Sequence, residues 1–237
     1  MSWEKYGIEK KDLLMPASIL IGAILISLSI CWSSGKISLS GSDSAAVKIG
    51  DTPKIAGSGK VVLSLNPNTP YLGKGQAKVT VVEYADYRCP FCEKFYTDVF
   101  SQLKSKYIDN GEIKFMYQDF AFLGPDSNTA AEATHCAADQ NMFWQYHDYL
   151  FTHQGSESSD WASSINQKKF AQTLGLNTSQ FNQCLDSGKY KQEVLNETDA
   201  GKKYGVTGTP SVFVNGQILV GAQPLVSFEQ AIDAALK

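Results

Sequence analysis

Two cysteines separated by two residues, Cys89-Pro90-Phe91-Cys92, are the most chemically pointed feature of this 237-residue chain. At that spacing one helical turn brings the second sulfur back to the first, so the pair can close into a disulfide and reopen. The reacting species in disulfide exchange is the thiolate, and a free cysteine with a pKa of about 8.5 supplies little of it at neutral pH. The position of Cys89 meets that need. It precedes Pro90, which suits a first helical position because its missing N–H would have no partner there anyway. A sulfur at a helix N-terminus meets unpaired N–H groups and partial positive charge. Arg88 adjoins it and is expected to lower the Cys89 pKa further.

A Cys-x-x-Cys pair is also half of a zinc site, which needs two more ligands at similar spacing. Cys31, Cys136 and Cys184 each stand alone, and His135, His147 and His153 form no second pair with finger-like spacing. Redox chemistry is therefore the reading taken, with no metal and no cofactor expected. His135 reads as a helix-surface residue, and His147 as a partly buried one among Phe143, Trp144 and Tyr146.

The elements that must position the cysteines are visible around them. Lys78 to Tyr84 is β-branched and nearly continuously apolar, the pattern of a central strand covered on both faces. The helix opened by Pro90 should run to about Asp109 and stop at Asn110-Gly111. Cys92, Phe95, Val99 and Leu103 fall on one of its faces at spacings of three and four, which buries Cys92 and leaves Cys89 presented at the exposed tip. Upstream, Val61 to Leu65 reads as a short first strand. Downstream, Ile113 to Tyr117 alternates as a further strand, closed by Gly124-Pro125.

From Asn128 to about Ser187 the pattern is helical throughout (Thr129 to Asp139, Met142 to Phe151, Trp161 to Leu174, Thr178 to Leu185). That is an all-helical insertion at about residues 126–187. A helix from about Lys189 to Tyr204 follows, and then Ser211 to Val214 and Gln217 to Val220 flank Asn215-Gly216, the strongest short hairpin signal. Ser227-Phe228-Glu229-Gln230 has the form of a capping box and should open the last helix.

Composition bounds the rest. With 43% hydrophobic residues the chain has material for one buried domain and a short appendage. Its 21 basic and 24 acidic side chains leave a formal charge of -3, and the absence of a basic cluster argues against nucleic acid as a partner. Leu13 to Trp32 carries no charge and supplies the roughly 20 residues a helix needs to cross a bilayer. A cleaved signal peptide is the alternative, with an apolar core of only about 7 to 15 residues and weak sites at Ser27-Leu28-Ser29 and Ser38-Leu39-Ser40. Lys5, Lys10 and Lys11 before the segment, against Lys36 and Lys48 after it, favour an inside N-terminus. The expected organisation is a cytoplasmic N-terminus at 1–12, a transmembrane anchor at 13–32, a flexible linker at 33–59 and a catalytic domain at 60–237.

The run Val81-Val82-Glu83-Tyr84-Ala85-Asp86-Tyr87-Arg88-Cys89-Pro90-Phe91-Cys92 resembles the active-site segment of the DsbA-like branch of the thioredoxin superfamily. Gly205-Val206-Thr207-Gly208-Thr209-Pro210-Ser211 resembles the cis-proline loop of the same family, and the two motifs stand in the family's order over roughly Lys60 to Lys237. The resemblance implies a thioredoxin-like α/β fold with a helical insertion. It implies a cis bond before Pro210, facing the disulfide, with Thr209, Pro90 and Phe91 meeting an extended substrate by strand addition. Glu83 matches a buried acid of the family and would accept or relay the Cys92 proton, its pKa raised by burial. An edge-exposed strand glutamate is the alternative, opposed by the covered character of Val81, Val82 and Tyr84. Family members with a second, structural disulfide imply a Cys136–Cys184 bond, against two buried free thiols.

These residues lead to a thiol-disulfide oxidase on the outer side of a membrane. It would donate the Cys89–Cys92 disulfide to reduced secreted or membrane proteins at the cell surface or in a periplasm. By the resemblance, a quinone-linked membrane partner would re-oxidise it. Thr209 stands where oxidising members carry Val and is similar to the isomerase branch, so an extracytoplasmic reductase or isomerase is the alternative. Against that, Ser33 to Lys60 is too short and polar for a dimerisation domain. A peptide-binding or metal-delivery module is a third reading, opposed by the expected contrast of one exposed and one buried thiol.

Overall fold

The computed structural model describes residues 59–237 together with the strand Ile55–Ala56. The apolar segment 13–32 and most of the linker lie outside the described residues. Seven strands are present among the described residues: β1 (Ile55–Ala56), β2 (Lys60–Val61), β3 (Tyr71–Gly73), β4 (Val79–Ala85), β5 (Ile113–Asp119), β6 (Ser211–Val214) and β7 (Gln217–Val220). The last five form one sheet in the order β3-β5-β4-β6-β7, with β4 and β5 parallel and every other pair antiparallel. The apolar run of β4 thus lies at the centre, buried along all but one of its seven residues, as a strand covered on both faces must be.

Side chains alternate across a strand, and each face of β4 has its own task. Val82 and Tyr84 pack with Met116, Phe120, Val206 and Phe213 on one face. Val79 and Val81, on the other, pack with Phe95, Val99, Leu103 and Phe228. Glu83 and Ala85 continue that second face toward the end of the strand. In register with them on β5 stand Tyr117 and Asp119, so two buried acids and a buried tyrosine share one surface.

That surface is covered by helices. The helix α1 begins as Pro90–Phe95, passes through a π-helical segment Tyr96–Phe100 and a turn Ser101–Leu103, and ends in a second π segment Lys104–Ile108. The predicted apolar face is buried at Cys92, Phe95, Val99 and Leu103. The wider π turns let the adjacent pairs Val99-Phe100 and Tyr107-Ile108 turn inward together. Between β5 and β6 lie α2 (Pro125–Ala138), α3 (Phe143–Thr152), α4 (Ser164–Thr173), α5 (Thr178–Asp186) and α6 (Lys191–Lys203). The first four are the insertion expected at about 126–187. Their shared core includes Tyr146, Leu150, Phe151, Phe181 and the active-site residues Tyr87, Cys89 and Cys92. A disulfide joins Cys136 on α2 to Cys184 on α5.

Four boundaries differ from the sequence reading. Ile55–Ala56, expected within the flexible linker 33–59, pairs antiparallel with Lys60–Val61 as β1. Val62 to Leu65 is not strand, because the Tyr204 hydroxyl takes both the N–H and the carbonyl of Ser64 (2.8 and 3.1 Å) in place of a neighbouring strand. β3, unexpected, is three residues long, too short for its alternation to register. The last helix, α7 (Leu225–Leu236), starts after extended Pro224, so Ser227 lies inside it and caps nothing. The Asn215-Gly216 hairpin forms as expected, with Gly216 at φ 83°. A Cβ there would lie 2.2 Å from the Val61 carbonyl oxygen, whose residue donates its own N–H to Gly216 O at 2.8 Å.

Candidate active site

The turn from β4 into α1 is held by Asp86. Its buried carboxylate accepts the Arg88 N–H at 2.8 Å on one oxygen and the Phe122 and Leu123 N–H groups at 3.0 and 3.1 Å on the other. It thereby ties the ends of β4 and β5 together. Cys89 is the N-cap of α1 in extended conformation. Its N–H donates to Asp86 O, and its carbonyl accepts from the N–H groups of Cys92 (3.0 Å) and Glu93 (3.2 Å). The N-terminal groups of the helix are thus arrayed around the first sulfur.

Both cysteines are present as thiols and both are buried, Cys89 to 5% exposure and Cys92 to 0%. The exposed tip expected for Cys89 is not found. Instead the residues after it, Pro90 and Phe91, reach solvent, with Phe91 62% exposed. Cys89 is covered from far along the chain: its Sγ lies 3.4 Å from the carbonyl oxygen of Thr209, to which the thiol donates. The Thr209-Pro210 bond is cis. Pro210 is buried and Thr209 half-buried. The Pro210 carbonyl accepts from Gly221 N–H at 2.7 Å, and Ser211 Oγ donates to Gly208 O at 2.7 Å.

The two sulfurs differ in electrostatics. A hydrogen bond from the Cys92 thiol lowers the Cys89 pKa to about 6 against the opposing effect of burial, and the Thr209 side chain and the Cys92 and Phe91 N–H groups act in the same direction. Cys92 is pushed well up, first by burial and then by the neighbouring Cys89 sulfur and Glu83. Glu83 is itself buried, with Oε1 unpartnered among the described residues. Burial, aided by negative charge on Cys89, raises its pKa to about 8, so it is a neutral acid at neutral pH.

Arg88 does not tune Cys89. Its guanidinium turns away and donates to the carbonyl oxygens of Leu123 (2.8 Å) and Glu157, so the depression of the Cys89 pKa comes from hydrogen bonds at the helix start. The histidines also differ from expectation. His147 is fully buried, its ring within 5.0 Å of those of Tyr117, Trp144 and Phe151, and burial lowers its pKa. His135 is not on a helix surface. It is buried, with Nε2 2.8 Å from Asp119 Oδ2, and Glu197 Oε2 accepts the Asp119 N–H at 2.8 Å.

Asp119, His135 and Glu197 offer ligand atoms within 4.8 Å of one another, but His135 Nε2 is already hydrogen-bonded to Asp119 Oδ2 and Glu197 Oε2 to the Asp119 backbone N–H. Burial opposes the imidazolium, yet the hydrogen bond and charge of Asp119 outweigh it and raise His135 to about 9. The group is an internal ion pair, and the burial of Glu197 beside Asp119 raises its pKa too. Sequence reading missed this cluster, whose members are dispersed along the chain. It also missed Asp86, for which a signal existed: Asp two residues before the N–H it accepts is an Asx turn.

A Cys-x-x-Cys pair at the start of the helix that follows the central strand of a mixed sheet, opposite a cis-proline loop, defines a thioredoxin-type redox site. Residues 65–234 match the family model described as Thioredoxin. The chain is 34% identical over 174 residues to the probable disulfide bond formation protein D of Bacillus anthracis, covering 70% of this chain and 77% of that one. The crystal structure of oxidised BdbD from Bacillus subtilis superposes with a TM-score of 0.67 at 28% identity, over 71% of this chain and 92% of that one. That of Wolbachia pipientis alpha-DsbA1 gives 0.65 at 26% identity, over 74% and 94%. The chain belongs to the thioredoxin family, as a DsbA-like thiol-disulfide oxidoreductase.

Proposed function

We propose that this oxidoreductase works as an oxidase through Cys89 and Cys92, donating their disulfide to extracytoplasmic proteins. The observation that carries this reading is the asymmetry of the two sulfurs. A substrate thiolate attacks Cys89 Sγ, forming a mixed disulfide as the Cys89–Cys92 bond breaks and Cys92 leaves with the electron pair. Glu83, neutral at pH 7, delivers a proton to Cys92, whose thiolate is disfavoured by burial. A second substrate thiolate then attacks the substrate sulfur of the mixed disulfide and expels Cys89, a good leaving group because its thiolate is stabilised. The substrate loses two electrons and the enzyme is left as a dithiol.

Thr209 and Pro210 form the wall against which an extended substrate lies, with exposed Pro90 and Phe91 on the other side of the sulfurs. Re-oxidation returns two electrons to an acceptor, in our reading a quinone-linked membrane partner. Segment 13–32 anchors the enzyme to the membrane, with the Ser/Gly/Ala-rich stretch from 33 to about 54 as tether and the catalytic domain outside. Its apolar composition supports this, and protease treatment of intact spheroplasts, stripped of any outer membrane, tests it: a domain resistant until the plasma membrane is lysed would refute an outside location. Among the described residues no helix is long and apolar enough to cross a membrane.

The deciding experiment is equilibration with glutathione. An oxidase should sit toward the value of about -120 mV found for DsbA, whereas a value near -270 mV, that of thioredoxin, rejects the assignment. Thr209 in the cis-proline loop favours the reverse flow, and efficient reshuffling of scrambled disulfides by the reduced protein would support a reductase or isomerase instead.

A further inference from the structure

The loop between α3 and α4 crosses the active-site turn. The side-chain amide of Gln154, half-buried, donates from Nε2 to the carbonyl oxygens of Tyr87 at 2.7 Å and Cys89 at 3.2 Å. Two carbonyl acceptors require the NH₂ group, since the amide oxygen could only repel them. Both donors of Nε2 are thereby used, on peptide groups either side of Arg88. Arg88 answers from the turn by donating to Glu157 O in that loop and to Leu123 O.

The loop is built to sit where it does. A Cβ at Gly155 would lie 2.8 Å from the side chain of buried Trp161, so the chain passes Trp161 at backbone distance and holds its neighbour Gln154 over the turn. His153, at the start of the loop, stacks on Tyr149 with ring centroids 3.9 Å apart. On the other side, Gly124 adopts φ 117°, and a Cβ there would come within 3.3 Å of Arg88 Nη1.

We propose that Gln154 is a positioning residue of the redox site: reaching from the helical insertion, it fixes the peptide groups of Tyr87 and Cys89 and so the placement of the Cys89 sulfur against the helix N-terminus. The Cys89 carbonyl also accepts the N–H groups of Cys92 and Glu93 in the first turn of α1, so its orientation and that of the sulfur are set together. Without Gln154 the peptide tilts, the sulfur moves off the Phe91 and Cys92 N–H groups, and its thiolate loses stabilisation. This inference rests on Cys89 being the attacked sulfur.

The test uses the full chain in detergent, with Gln154→Met, which keeps length and apolar stem but removes both donors, and Gln154→Glu, which puts a carboxylate against the two carbonyls. The ionisable neighbours of Cys89 are Cys92 on α1 and Glu83 on β4; Met adds no charge. Thiolate ultraviolet absorbance against pH should show the Cys89 midpoint raised in Gln154→Met. Its equilibrium constant with glutathione should shift roughly three- to tenfold toward a less oxidising enzyme, the scale of one or two net hydrogen bonds. Gln154→Glu should shift further and recover at pH low enough to protonate the new carboxyl. A lowered melting temperature in Gln154→Met with an unmoved midpoint and equilibrium constant would reduce Gln154 to a structural residue and overturn the proposal. If the wild-type chain does not exchange disulfides at all, the oxidase reading fails instead, which the wild-type control reports separately.

Discussion

Glu83 and Tyr117 stand opposite one another in the parallel β4–β5 ladder, both buried, each with an oxygen unpartnered among the described residues. A carboxyl group so placed is neutral until about pH 8 and can donate its proton to the thiolate that leaves beside it. Glu83→Gln keeps the shape and removes the proton. Formation of the enzyme–substrate mixed disulfide, the step in which Cys92 leaves, should slow by roughly a hundredfold or more, and the pH dependence centred near 8 should disappear from stopped-flow traces. The raised pKa carries a sign for stability. The acid favours the fold below its unfolded value near 4.5 and loses that contribution as pH rises through about 8. Denaturant melts of Glu83→Gln should therefore gain on wild type as pH climbs from 5 to 9, and an unchanged difference would contradict the burial of this group.

The two cysteines should part company under mutation. Cys92→Ser leaves Cys89 free to capture substrate with no thiol to resolve the product, so mixed disulfides should accumulate on non-reducing gels, while Cys89→Ser captures little. In the reduced wild-type protein, iodoacetamide should modify Cys89 first, with a rate midpoint near pH 6. Modification of Cys92 ahead of Cys89 near neutral pH would reverse the assigned roles.

Much of this arrangement is legible in local sequence patterns. Strand, Cys-Pro-Phe-Cys and amphipathic helix follow within one stretch, and Asn215-Gly216 fixes a hairpin by backbone conformation alone. Contacts between distant segments are not legible in that way. Cys89 reads as exposed because its covering carbonyl belongs to Thr209, 120 positions away. Arg88 reads as a charge beside a sulfur, whereas its partners at Leu123 and Glu157 turn it away from Cys89. His135 looks like a surface residue on an alanine-rich helix because nothing local announces Asp119 and Glu197 beneath it. Burial of polar groups is a property of the packed molecule, and periodicity reports only which faces are apolar.

That buried group makes a prediction of its own. His135 has its pKa raised from 6.5 to about 9 by Asp119 despite burial, so its stabilisation is fully present below pH 6.5 and is lost as pH rises through 9. Replacing it with Gln strands the Asp119 charge, a change that costs about 3 kcal/mol at buried pairs. Chemical denaturation should show that loss at pH 6, and the gap to wild type should narrow by pH 9. A gap independent of pH would mean that His135 is not an imidazolium in the fold.

The Cys136–Cys184 bond should act on the insertion and leave the chemistry alone. It links α2 to α5 across a sequence separation of 48, and restraining a loop of that length in the unfolded chain stabilises by about 2 to 4 kcal/mol. Both sulfurs lie in the same core as Tyr146, Leu150 and Phe181, so the double variant Cys136→Ala/Cys184→Ala keeps small apolar groups where the sulfurs were. Its melting temperature should fall, and amide exchange should quicken in α2 and α5 well before β4 and β5. The Cys89 thiolate midpoint should stay near pH 6, because the groups that set it lie on α1 and the Thr209 loop. If the midpoint moved with the disulfide, the insertion would reach the redox site through its whole frame, not through the loop that carries Gln154, and the two would have to be treated as one mechanical unit.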